Sequence, residues 1–119
     1  MRSPTPAESA PGPDPGADLR EHLPALRTAL LQQRRFRTEQ LAALRTAVPG
    51  APAQEEVVEE LRRGARIALA GIEDALHRMD RGHYGSCTRC GTPIPLERLE
   101  ILPAVALCMT CQRAEDLPQ

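Results

Sequence analysis

Four cysteines carry most of the chemistry open to this sequence. They form two pairs, Cys87-Thr88-Arg89-Cys90 followed at once by Gly91, and Cys108-Met109-Thr110-Cys111, with seventeen residues between the pairs. Two CxxC pairs separated by about 15–20 residues have the spacing of a zinc site. One CxxC turn brings two thiolates to the edge length of a tetrahedron built on Zn–S bonds of ~2.3 Å, and the second turn supplies the other edge. Gly91 suits a knuckle in which the chain needs φ > 0 and backbone N–H groups aim at sulfur. The residues after the second pair, Gln112, Arg113 and Ala114, can open a short helix, whose N-terminus helps stabilise thiolate charge. Cys87, Cys90, Cys108 and Cys111 are therefore expected to hold one Zn2+ in a closed structural site, with no position left for water or substrate. A dithiol redox centre would need only one CxxC, usually within a βαβ pattern absent here. An iron–sulfur site is the other alternative, and the CxxCG knuckle favours zinc over it. His77 and His83 are surplus to a complete cysteine set, and His22 is remote from it.

Around the cysteines, Ile94, Leu96, Leu99, Ile101, Leu102, Val105 and Leu107 make a small apolar cluster, with Pro93, Pro95 and Pro103 as turns. Roughly 30 residues cannot fold on such a core alone, so the metal must supply much of the folding free energy.

The rest of the chain must position this finger. Its 119 residues are 41% hydrophobic and 26% charged, enough for one small domain. The apolar share rests on seventeen alanines against one Phe, one Tyr and no Trp, which favours helix and excludes a β-sandwich or a TIM barrel. All fifteen basic residues are Arg, and the net charge of −1 gives no general pull toward nucleic acid or anionic lipid. There is no run of eighteen apolar residues, so no membrane span is expected. The first twenty residues carry five prolines and no apolar stretch of a secretory signal, so a reducing cytoplasm is the expected compartment. No Ser-His-Asp set, phosphate-cradling loop or open metal site is present, and an enzyme is not expected.

Residues 1–18 are Pro-, Gly- and Ala-rich and are expected to form a disordered tail. Leu19, Leu23, Leu26 and Leu30 then recur at helical spacing, with Asp18 and Glu21 resembling a capping box and Pro24 offering a later start. After a polar middle, Leu41, Leu44 and Val48 resume the stripe, which Pro49-Gly50-Ala51-Pro52 must end. A second stripe runs through Val58, Leu61, Ala65, Ala68, Ile72, Leu76 and Met79. Pairing Leu44 with Val58, Leu41 with Leu61, Leu30 with Ile72, Leu26 with Leu76 and Leu23 with Met79 gives a constant position sum of 102, which centres the turn on residue 51. The same register sets Arg34 and Arg37 against Ala68 and Ala65, so a thin middle is expected. It also brings the acidic start of the second helix (Glu55, Glu56, Glu59, Glu60) beside Arg37 and Arg45. The expectation is an all-α chain: an antiparallel coiled-coil hairpin over 19–82 with its tip at 48–53, a C4 zinc finger over 83–113, then a short C-terminal helix and tail at 114–119. A monomer is expected.

The run His83-Tyr84-Gly85-Ser86-Cys87-Thr88-Arg89-Cys90-Gly91, with Ile94, Arg98-Leu99, Pro103 and Leu107-Cys108-Met109-Thr110-Cys111-Gln112, resembles the C4 zinc finger of the DksA/TraR family. The hairpin upstream is similar to that family's coiled coil. The resemblance implies a bacterial transcription regulator that binds RNA polymerase directly, with the coiled coil in the secondary channel. It makes Val48, Pro49, Gly50, Ala51 and Pro52 the probing tip, with Glu55 and Glu56 as the nearest acids. Well-studied members of that family carry acidic tips that approach the catalytic magnesium, whereas Arg45 to Ala53 holds no Asp or Glu here, and such a tip can obstruct a channel but cannot coordinate a metal ion. The family's longer C-terminal helix is cut short as well. The alternative is a zinc-stapled interaction hairpin with a different partner. Sequence-specific DNA binding is not expected, because residues 84–113 hold three Arg against two Glu.

Overall fold

The structure, a computed structural model, describes residues 15–117, with side chains from Asp18 onward. Among the described residues there are four helices and no strand: α1 (Pro15–Arg45), α2 (Pro52–Asp80), α3 (Leu96–Ile101) and α4 (Met109–Asp116). The tail expected over 1–18 lies outside the described residues for 1–14. From Pro15 the chain is already helical, so Asp18 sits inside α1 and not at its cap, and α1 runs through Pro24. Proline there removes one backbone bond. One turn away, the His22 ring bonds the Asp18 carbonyl at 2.8 Å. At the other end, Ala114–Asp116 belong to α4 rather than to a tail.

α1 and α2 pack as an antiparallel hairpin. Pro49 and Pro52 break the chain between them, and Pro52 opens α2 behind an extended Ala51. α2 ends in a Schellman turn through Gly82, where His83 N donates to Arg78 O at 2.8 Å and Gly82 N to Met79 O at 3.2 Å.

Leu26, Leu30, Ile72 and Leu76 are all buried in one cluster, and Leu23 and Met79 pack against it. Three cross-hairpin bonds tie Arg27 to Asp80, Arg34 to Glu73 (3.3 Å) and Arg62 to the Leu44 carbonyl. Their position sums are 107, 107 and 106, a few residues above the apolar register. The offset has a simple cause. Helical side chains lean toward their own N-terminus, so on antiparallel helices two long polar side chains meet between levels that are nominally out of register.

Toward the tip the pattern departs from the apolar stripe. Leu61 is 47% exposed. Among the residues of α2 that are buried or half-buried, Val58, Arg62, Ala65, Leu69, Ile72, Leu76 and Met79 follow an unbroken alternation of four and three, with Glu59, Ala68, Gly71, Ala75 and Arg78 beside them. On α1 the same alternation runs through Leu19, Leu23, Leu26, Leu30, Gln33, Arg37, Gln40 and Leu44. Helix geometry keeps the seam at this repeat whatever the residue type, so Arg62 takes the seat that Leu61 was expected to fill. The seam is thus apolar at the base and polar distally, where Leu41 and Ala65 are the fully buried residues. Thinness extends from the middle to the tip. The acidic start of α2 is also paired differently: Glu59 and Glu60 are held by Arg62, Arg66 and Arg63 of their own helix, and Arg37 bonds Gln40.

Arg62 has a second task. Its Nε and Nη2 donate to Leu44 O at 3.1 and 2.7 Å, capping the C-terminal end of α1 from across the hairpin. Gln54 Oε1 accepts from Gly50 N at 2.6 Å and braces the far side of the loop. Arg62→Ala should cost about 1–2 kcal/mol of hairpin stability and speed amide exchange over Thr46–Ala51. Arg62→Lys, with a compact donor in place of the fork, should recover part of both. Unchanged exchange in R62A would show that the loop holds itself.

Candidate metal centre

The four cysteine sulfurs lie within 4.8 Å of one another, and Cys90 and Cys108 Sγ are 3.7 Å apart. A tetrahedron with ~2.3 Å Zn–S bonds has an edge of roughly 3.8 Å. Two different local structures converge on it. In the first knuckle, Cys87 N donates to Thr92 O (2.8 Å) and Gly91 N to Cys87 O (2.9 Å), a turn closed by Gly91 at φ 80°. A side chain there would be strained. An isolated antiparallel bridge, Ser86 to Pro93, closes its neck. The second knuckle is the start of a helix: Cys108 is the N-cap of α4, and its sulfur accepts from Cys111 N. In both pairs the N–H of the second cysteine lies 3.5 Å from the sulfur of the first.

Thiols this close hold their protons unevenly. Burial pushes Cys87 up, but N–H groups of Cys108, Cys90 and Arg89 outweigh it and bring the thiol down to about 6. Hydrogen bonds from Thr92 lower Cys90. Burial, then the neighbouring sulfurs, raise Cys111 to about 12. Four anionic sulfurs cannot share this volume without a cation, and a soft, tetrahedral, all-sulfur donor set suits zinc. The residues fit a structural zinc ion that Cys87, Cys90, Cys108 and Cys111 would hold. Such an ion supplies four metal–sulfur bonds and the folding free energy that comes with them.

The finger is fastened to the hairpin by a shared core. Tyr84, Cys87, Ile94, Leu99 and Cys111 are buried in the same cluster as Leu26, Leu30, Ile72, Ala75 and Leu76. Of the apolar residues expected to close the finger, Ile101 and Leu102 turn outward, at 76% and 48% exposure. Helix α3 has only six residues, so one position, Leu99, faces in. Gly85 (φ 95°) lies so close to α1 that a Cβ there would stand 2.6 Å from Leu19 Cδ2. Tyr84 OH donates to Pro103 O at 2.9 Å, Thr88 N and Oγ1 to Ala106 O at 2.8 and 3.2 Å, and Arg89 pairs with Glu115 of α4. Spacing rules give no signal for Tyr84, Thr88, Thr92 or the Arg89–Glu115 pair. His77 and His83 are exposed and stand outside the sulfur cluster. The tip residues are not brought to the metal. Val48, Gly50, Ala51, Pro52, Glu55 and Glu56 are exposed at the opposite end of a molecule 79 Å long, with Val48 at 91%.

A helical hairpin rooted in a closed four-cysteine zinc knuckle defines a class of small zinc-finger proteins with a long projecting arm. Residues 82–116 match the family model of the prokaryotic dksA/traR C4-type zinc finger. The chain is 45% identical over 51 residues to the Escherichia coli protein YbiI, covering 39% of this chain and 58% of that one. It is 33% identical over 66 residues to the RNA polymerase-binding transcription factor DksA of Haemophilus influenzae, covering 54% of this chain and 46% of that one. The chain spans about half the length of the curated relatives it matches. In three dimensions it resembles the transcription factor DksA2 from Pseudomonas aeruginosa over 88% of this chain and 91% of that one, with 26% identity and a TM-score of 0.53. Residues 82–116 are thus a zinc finger of the dksA/traR C4 type, and the chain as a whole has the fold of DksA2.

Two outcomes test the centre. Zinc removal by a chelator should unfold the finger and, because the core is shared, speed amide exchange at the base of the hairpin before the tip. Far-UV circular dichroism should retain most of the helix signal; a finger that stays protected without metal overturns the account. The second concerns pH. Burial raises the Tyr84 phenol from 10 to about 12, with Arg78 pulling the other way. Tyr84 is neutral in both folded and unfolded chains below pH 10, so its contribution is complete there and is lost as pH rises through about 12. Since this is the single tyrosine, phenolate absorbance of the zinc-loaded protein should titrate well above that of the unfolded chain.

Proposed function

We propose that this protein is a cytoplasmic transcription regulator of the DksA/TraR type that binds RNA polymerase directly, its hairpin entering the secondary channel as a coiled-coil arm. The zinc is a structural root, and the arm does the work as a monomer. The observation that carries this reading is the likeness to DksA2 over nearly the whole chain, joined to a family-matched finger. The name of the Haemophilus relative supplies the partner. Among the described residues no helix is long and apolar enough to cross a membrane, in keeping with a soluble partner.

Val48, Pro49, Gly50, Ala51 and Pro52 form the working tip in this reading, flanked by Glu55 and Glu56 on the first turn of α2. The tip is apolar. Ala47, Val48, Pro49, Ala53 and Val57 line a shallow groove of ≈ 430 Å³. With no carboxylate between Arg45 and Ala53, it acts by occupying space rather than by drawing on a magnesium ion. The same apolar tip favours the second reading, an interaction module that has lost the acidic-tip effect and serves another partner.

Purified core RNA polymerase should capture the zinc-loaded protein, and replacing residues 47–51 with a Gly-Ser loop should weaken capture at least tenfold. Capture unaffected by that replacement would rule out tip insertion. No capture of the parent protein would select the second reading.

A further inference from the structure

We infer that Thr92 is a positioning residue of the metal centre: its hydroxyl donates to the Cys90 sulfur and sets how firmly the exposed edge of the zinc is held. The four sulfurs are not equivalent. Cys87 and Cys108, the first members of their pairs, each have a backbone N–H at 3.5 Å from the cysteine three residues on. The second members lie outside that pattern. Cys111 is shielded by burial at 8% exposure. Cys90 is the exposed one, and its sulfur lies 3.1 Å from Thr92 Oγ1. A zinc-bound thiolate can only accept, so the hydroxyl is the donor.

The hydroxyl is aimed by the turn that closes the knuckle. Thr92 O accepts from Cys87 N at 2.8 Å, and the Ser86–Pro93 bridge fixes the residues on either side. A β-branched side chain has few rotamers, so a fixed backbone largely fixes the oxygen. Four thiolates around one divalent ion carry two excess negative charges, and each donor to sulfur disperses part of that charge. The Cys90–Cys108 edge, 3.7 Å between sulfurs, is the water-facing side, because Cys87 and Cys111 are buried. A chelator or competing thiol reaches this edge first, and Thr92 guards it.

The test needs no polymerase. Thr92→Val keeps the shape and removes the donor; Thr92→Ser keeps the donor. T92V should raise the apparent zinc dissociation constant and the rate of zinc loss to a chromogenic chelator about tenfold, the low end for an outer-shell ligand partner at an exposed site. T92S should restore both. In the Co2+-substituted protein, the sulfur-to-metal charge-transfer band should move to lower energy in T92V, because a sulfur without its donor gives up charge more readily, and return in T92S. Far-UV circular dichroism of the three zinc-loaded proteins should coincide. Parent-like zinc loss and an unmoved cobalt band in T92V would overturn the inference. So would T92S behaving as T92V, which would leave Thr92 a steric role only.

Discussion

Mutual repulsion among four sulfurs is the constraint on which the rest of this molecule depends. Gathered within 4.8 Å, they are stable as thiolates only around a cation, and the backbone that gathers them has little apolar material of its own. Tyr84, Ile94, Leu99 and Pro103 are the non-cysteine side chains that the finger buries. The metal therefore substitutes for a core, as expected for a unit too small to bury one. It also holds the core it joins. Because Cys87 and Cys111 sit in one cluster with Leu26, Leu30 and Leu76, ordering the knuckles completes the base of the hairpin.

The sequence made the zinc ligands, the two helices and the basal register readable because each rests on a local or strictly periodic rule. CxxC spacing, proline breaks and the Leu26–Leu76 and Leu30–Ile72 pairs need no knowledge of the rest of the fold. Apolarity was a poorer guide once the seam became polar. Leu61 looked like a core residue by type, yet the geometric repeat selects Arg62, whose aliphatic stem can line the seam while its guanidinium finds the Leu44 carbonyl. Ile101 and Leu102 misled for a related reason, since a helix of six residues has one inward position and Leu99 holds it. The start of α1 at Pro15 could not be read from composition, which speaks of burial and not of propagation from a helix already anchored at Leu19.

Polar substitution along the seam grades the hairpin in stiffness. At the foot, buried leucines and an isoleucine are backed by the finger. Distally, Gln33, Arg37, Gln40 and Arg62 line the interface, and hydrogen bonds take over from burial. Hydrogen bonds exchange with water at small net gain, whereas burial does not. The arm is accordingly firm where it is rooted and adaptable near its end.

Tip chemistry and finger chemistry then divide along the molecule. All groups capable of binding a metal ion as a set lie at one end among the described residues, while the other end offers Val48, Pro49 and Val57 with no acid inside the loop. A tip of this composition gains by displacing water from apolar surface and has no charge with which to perturb a distant ion. In the proposed reading, its influence on a partner comes through shape and occupancy. That places the burden on loop conformation, which rests on two side chains of α2: Arg62 holding the end of α1, and Gln54 holding Gly50. An acidic tip would act over a longer range, since electrostatic effects fall off slowly with distance. A blunt apolar tip would not, because excluded volume acts only on contact.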